Sequence, residues 1–182
     1  MQDRRQDIIE AGLAILREHG YIGFTQPRVA AHAGLRQSHL TYYFPTRLEL
    51  LTAVARAAID RQLAALDKVL TGAAKEVGNG MTKMTVQHAN TRVMMALAQA
   101  ADQELSLQKL FRELADGIVS RLGGYLKSLD AESTEEHARL LHALAVGLAV
   151  VDLATARPDG AKRNTAVLET ALRLLTGLPD KP

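Results

Sequence analysis

Between Thr25 and Pro45 the chain leaves room for two helices of about two turns each and nothing longer. Thr25 stands as an N-cap before QPRVAAHA, and Pro27 falls in the first turn, where a missing amide donor costs little. Gly34 can take the left-handed conformation that ends this helix, and Leu35 turns back toward the core. A second short helix then runs from about Arg36 to Phe44, until Pro45 stops it. Two short helices joined by a tight glycine turn make a helix-turn-helix, a unit that must pack on the helices around it.

Those neighbours are also legible. Residues 4–19, RRQDIIEAGLAILREH, place Ile8, Ile9, Leu13 and Leu16 near helical spacing, with Gly20 as the C-terminal cap. Thr46 and Glu49 have the spacing of a capping box at the start of a long helix, its face marked by Leu48, Leu51, Ala55, Ile59, Leu63, Leu66 and Leu70. Gly78 and Gly80 break the pattern after it, and further helices are expected at roughly 82–100, 103–128, 134–156 and 161–177. Ser133 with Glu136 offers a second capping box, and RPDG at 157–160 makes the last turn. No run of alternating β-branched residues intervenes, and 47% hydrophobic against 23% charged residues suffices for a core. The expected fold is all-α. An N-terminal three-helix helix-turn-helix domain, residues 1–46, packs on a C-terminal helical domain, residues 47–182.

Composition removes several function classes. The chain has no cysteine, so disulfides and thiolate metal sites are absent, and a reducing cytoplasm is the expected location. The stretch MQDRRQDIIEAG lacks the apolar run of a secretory signal. The most apolar window, HALAVGLAVVDLATAR, is interrupted by Asp152 and falls short of the ~20 apolar residues that span a bilayer, so a buried helix and no membrane contact are expected. His137 and His142 are five apart and do not stack on one helix face as a zinc pair would. With no phosphate loop or nucleophile elbow either, no metal, cofactor or catalytic group is expected, and a small helical enzyme remains only the alternative. Net charge is +2, yet Arg28, Arg36 and Arg47 lie between Gly23 and Leu48 without one Asp or Glu, while DAESTEE is acidic. A non-specific architectural DNA binder, the other alternative, calls for a more basic surface.

The second short helix is sized for a DNA major groove. Val29, Ala30, Leu35, Leu40 and Phe44 would hold the two helices together, which leaves the polar residues outside. Gln37 can bond two edges of adenine, Ser38 and His39 can donate or accept at several bases, and the Thr41 methyl can pack on thymine. Tyr and Arg side chains at the rim, with Thr25 and Thr46 at helix starts, suit phosphates. The expected base readers are therefore Arg36, Gln37, Ser38, His39 and Thr41, and the expected phosphate contacts are Thr25, Arg28, Tyr42, Tyr43, Thr46 and Arg47.

The whole segment from Ile8 to Leu51 resembles the DNA-binding domain of the TetR family of bacterial transcriptional regulators. Gly20, Thr25, Val29, Ala30, Ala33, Gly34, Leu35, Leu40, Tyr42, Phe44, Arg47 and Leu50 carry the likeness. Arg36 stands where the family usually caps its recognition helix with Ser or Thr. Thr41 replaces the first of an aromatic pair, Tyr43 a His, and Arg47 a Lys. The resemblance implies a sequence-specific regulator, a repressor, released when a small, mainly apolar effector changes the separation of two recognition helices.

One recognition helix reads too few base pairs to be selective, so a homodimer on a near-palindromic operator is expected. Leu140, Leu144, Gly147, Leu148 and Val151 of the apolar helix, with Leu168, Leu172 and Leu175 of the last, would form a four-helix interface, which is where the family dimerises. The middle helices resemble the family's effector-sensing region in position alone. Apolar side chains from Met81, Met84, Met94, Met95 and Leu107 onward suit a pocket or an ordinary core equally. Met84, His88, Met94, Phe111, Tyr125 and His142 are the effector-contact candidates, and His88, Asn90, His142 and Asp152 are expected to point inward.

Overall fold

The computed structural model describes residues 3–72, 74–129 and 134–176. Among the described residues there are nine helices and no strand: α1 (Arg4–Gly23), α2 (Gln26–His32), α3 (Gln37–Tyr43), α4 (Arg47–Leu70), α5 (Ala74–Thr85), α6 (His88–Ala101), α7 (Leu105–Ser128), α8 (Glu135–Thr155) and α9 (Gly160–Thr176). The all-α expectation holds.

The chain forms two compact units, one of Met1–Arg61 with Arg92–Glu113 and the other of Gln62–Thr91 with Leu114–Pro182. In the first, the Asp3 carboxylate accepts from the Arg5 amide at 3.0 Å and starts α1. Ile8, Leu13 and Leu16 of α1 are buried as expected, in a core with Phe24, Val29, Leu40, Phe44, Leu50, Leu51, Val54, Leu97 and Leu107. Each such side chain withdraws about 1.5–3 kcal/mol of apolar surface from water. Leu48, expected on the inner face of α4, is exposed, because Leu50, Leu51 and Val54 take that face. At the rim Arg56 meets Glu113 at 2.6 Å, and Arg61 Nη1 donates to Glu10 Oε2 at 3.0 Å. The Arg61 guanidinium holds the Glu10 carboxyl below its usual range. Both pairs are half-exposed and contribute at most ~1 kcal/mol each.

In the second unit α5 packs on α9 and α8, and α8 packs on α9. Gly78 and Gly80 lie inside α5 rather than breaking it. A Cβ on Gly80 would fall 2.7 Å from a Val69 methyl, so glycine there lets α5 approach the end of α4. That packing offsets a helix cost of about 1 kcal/mol for the glycine. The interruption comes instead at Val86 and Gln87, which divide the expected helix at 82–100 into α5 and α6. Between α5 and α9 the buried Asn164 donates Nδ2–H to Thr85 Oγ1 at 3.0 Å, and the Thr82 and Thr165 hydroxyls lie 3.0 Å apart. Asp152 is buried as expected, and its carboxylate meets His88 Nε2 at 2.7 Å. Asn90, by contrast, is exposed and donates to Gln87 Oε1 at 2.8 Å.

The expected capping box at Ser133 lies outside the described residues. Thr134 precedes α8, and its backbone N–H donates to His137 Nδ1 at 3.3 Å. Within α8 only Ala138, Leu141 and Asp152 are buried. α8 is long and apolar enough to cross a membrane, and within the single chain most of it lies on the surface. The reason is supply, since α5 and α9 cover one side of α8 and leave its remaining apolar circumference bare.

Candidate nucleic-acid interface

The geometry of α1 to α3 follows residue by residue from the turn chemistry. Gly20 takes φ 65° and ψ −169° and breaks the helical path of α1, after which Phe24 buries completely. Thr25, extended at φ −127° and ψ 146°, caps α2 by accepting from the Arg28 amide at 3.4 Å. Gly34 sits at φ 67°, with the Leu35 amide donating to Ala30 O at 2.9 Å and the Gly34 amide to Ala31 O at 3.1 Å. This pair of bonds is the Schellman motif, and only the left-handed residue allows it. Gln26 Nε2 donates to Phe44 O at 2.8 Å and ties the start of α2 to the end of α3.

The recognition helix α3 then has one side in the core and the other in water. Leu40 is fully buried and Phe44 nearly so, while Arg36, Gln37, Ser38 and His39 are exposed together. Arg36 occupies the N-cap without a side-chain cap bond, as its replacement of Ser or Thr requires, and so its guanidinium is left to the solvent side. Thr41 is half-buried, and its hydroxyl donates to Ser38 O at 3.1 Å. Tyr42 is 82% exposed, and its ring stands edge-to-face with Tyr43 at 5.2 Å. This contact restricts both phenols before any partner arrives.

The phosphate set divides. Thr46 accepts from the Glu49 amide at 3.1 Å while Glu49 Oε2 accepts from the Thr46 amide at 3.4 Å, which is the expected capping box. Thr25, Arg28, Tyr42, Tyr43 and Thr46 are exposed, although Arg28 also donates to Gly23 O at 2.9 Å. Arg47 is engaged within the chain. Its Nε donates to Phe24 O at 2.8 Å, Nη2 to Tyr21 O at 3.1 Å and Nη1 to Tyr21 Oη at 3.4 Å, with the guanidinium 4.6 Å from the Tyr21 ring centroid. The half-buried guanidinium braces the end of α1 against the start of α4 and has few donors left for a phosphate. Tyr21 Oη continues the brace to Gln103 Oε1 at 3.4 Å. Sequence reading missed Tyr21, whose hydroxyl meets the side chains of Arg47 and Gln103, and Gln26, whose partner is a backbone carbonyl; contacts so distant in the chain carry no sequence signal. It also missed Arg5, whose guanidinium lies 4.8 Å from the Phe44 ring centroid.

The remaining candidates fall elsewhere. Met94 and Phe111, both half-buried, belong to the first unit; Met84, His88, Tyr125 and His142 belong to the second. Met95, suggested for the same pocket, is 47% exposed. The Tyr125 hydroxyl is buried without a hydrogen-bond partner, and burial raises its pKa. Burial likewise lowers the pKa of His142. Of the interface residues, Leu140 (58%) and Val151 (59%) are exposed, Gly147 is exposed, and Leu144, Leu148 and Leu175 are partly so. Leu168 and Leu172 are buried inside their own chain, whose α9 packs on α5 and α8, while Val167 and Leu174 of α9 are exposed.

Residues 8–54 match the family described as bacterial regulatory proteins, tetR family. A curated relative, the HTH-type transcriptional regulator CymR of Pseudomonas putida, is 46% identical over 46 residues, which span 25% of this chain and 23% of CymR. A transcriptional regulator of known structure from Rhodococcus sp. Rha1 superposes with a TM-score of 0.85 at 22% identity over 98% of this chain and 99% of its own. The multidrug binding protein EbrR, solved with imidazole, superposes with a TM-score of 0.70 at 22% identity over 100% of this chain and 99% of its own. At such identities the two structures attest the fold. The match over 8–54 falls on the helix-turn-helix and the start of α4 just described, and this N-terminal segment is the DNA-binding region of the family of bacterial regulatory proteins, tetR family.

Proposed function

We propose that this protein is a sequence-specific transcriptional repressor that binds a near-palindromic operator as a homodimer. The observation that carries the reading is the exposed row Arg36, Gln37, Ser38 and His39 on a recognition helix whose other side is anchored by Leu40 and Phe44. The row offers a bidentate partner for adenine in Gln37, adaptable donors and acceptors in Ser38 and His39, and a cation in Arg36. Thr25, Arg28, Tyr42, Tyr43 and Thr46 flank it as phosphate contacts, which fix register without reading sequence.

The bare apolar side of α8 and α9 supports the dimer. Leu140, Val146, Val151, Val167 and Leu174 expose large apolar side chains on these two helices. A second copy of the same pair of helices covers them in a two-fold, self-complementary way. A mainly apolar effector is supported within the second unit by the unpartnered Tyr125 hydroxyl, with Met84, His88 and His142 as further candidates. A buried hydroxyl without a partner costs about 1–3 kcal/mol, which a ligand acceptor would recover. That EbrR is a multidrug binding protein agrees with such a site.

The test is selection of binding sites from a random duplex pool at physiological salt, with the mass of the protein measured in solution. An inverted repeat recovered by a dimer supports the reading. DNA without a shared site points to an architectural binder, and no recovery overturns DNA binding altogether.

A further inference from the structure

Arg5 lies in the first turn of α1, outside the helix-turn-helix, yet its guanidinium carbon sits 4.8 Å from the centroid of the Phe44 ring. Phe44 ends the recognition helix and is itself 2% exposed, so the guanidinium covers the ring at the point where α3 leaves the core. A guanidinium held over a ring by cation–π attraction spends none of its N–H donors on the contact, and they stay available to a phosphate. Among the described residues no side-chain hydrogen bond or ion pair engages these donors; the one bond at Arg5 is from its backbone amide to Asp3. Three other cations of this unit differ in this respect. Arg4 pairs with Asp7 at 3.4 Å, Arg28 donates to Gly23 O, and Arg47 is held by Tyr21 and Phe24. The acidic neighbours are likewise engaged, with Glu10 on Arg61 and Glu49 in the capping box of Thr46.

We infer that Arg5 is a DNA-backbone contact, a phosphate-binding cation pre-oriented by Phe44 beside the exit of the recognition helix. It takes the place that Arg47 gives up by bracing α1. The inference rests on the DNA-binding reading, and its consequence is electrostatic and independent of base sequence. Each phosphate neutralised releases counterions, so the logarithm of the binding constant falls with the logarithm of salt by about 0.9 for each contact.

The test compares Arg5→Gln with Arg4→Gln, which removes the same charge one residue away, in salt titrations on a mixed-sequence duplex. Unchanged circular dichroism and Tm establish that both variants are folded. The slope is expected to fall by about 0.9 per bound protomer for Arg5→Gln, equivalent to roughly a 3.5-fold smaller loss of affinity between 50 and 200 mM salt. Arg4→Gln is expected to lower the slope by less than half as much. A wild-type slope in Arg5→Gln, equal losses in the two variants, or a loss that depends on base sequence overturns the inference while leaving DNA binding intact. No salt-dependent binding by the wild type overturns the DNA-binding reading itself.

Discussion

The α2–α3 turn and the α8–α9 pair treat apolar surface in opposite ways. Around the turn, Val29, Leu40 and Phe44 are covered within the chain and the exposed residues are polar. Along α8 and α9, Leu140, Val151 and Leu174 are more than half exposed although nothing polar is gained by it. The first region is complete as a folded object and offers hydrogen-bonding groups. The second is incomplete and offers area. On the proposed function, exposure serves recognition by directional bonds in one place and association by burial in the other.

The largest effect should come from charging the second region. Leu140→Glu with Val151→Asp replaces two exposed side chains, so circular dichroism should be unchanged, while sedimentation should report a monomer. Operator affinity should fall by more than about 30-fold, because residues at the centre of an interface contribute 2 kcal/mol or more. An unchanged mass would erase the contrast between the regions.

The first region contains its own contrast, between the brace and the reader. Arg47→Ala should lower urea-unfolding stability by about 1.5–3 kcal/mol, since it strands carbonyls of Tyr21 and Phe24 that accept from a charged donor. Gln37→Ala should leave stability within about 0.5 kcal/mol and instead relax preference at one base pair by about 1–3 kcal/mol. A stable Arg47→Ala with a reduced salt slope would return Arg47 to the phosphate contacts.

Gly34→Ala sharpens the account of the turn. A Cβ there meets nothing within 4 Å, so the cost is that of holding an L-residue at φ 67°, about 1–2 kcal/mol. A loss much larger than this in thermal unfolding would mean that the turn carries strain of another kind.

The smallest effect concerns His142. Burial holds its pKa in the folded protein below the ordinary 6.5, so the unfolded chain binds the proton more readily. Its contribution to stability is then fully present above 6.5 and is lost as pH falls below 6.5 toward the depressed value. Tm measured across that range should decline more steeply for the wild type than for His142→Gln. Parallel curves would place the titration elsewhere.

Local chemistry made much of the first region readable before any coordinates. Thr25, Gly34 and Pro45 fix where α2 and α3 begin and end because caps and left-handed turns act over three or four residues. The exposure of Gln37 to His39 follows from helical periodicity once Leu40 is placed inside. Periodicity also gave the helices of the second unit, but the break expected from Gly78 and Gly80 is absent, and at Gly80 helix propensity yields to close packing on Val69.

What the sequence by itself determined is the set of elements and the polar row of the recognition helix, since both depend on neighbours a few residues apart. Only the tertiary structure decided which cations are free and which apolar faces are bare. Arg47 and Arg5 are alike in sequence, yet one is held by carbonyls of Tyr21 and Phe24 and the other lies over the ring of Phe44. Leu168 and Val167 are adjacent, yet one is buried and the other 40% exposed. Such assignments depend on partners distant in the chain, and folding brings them together through burial, a force without direction along the sequence.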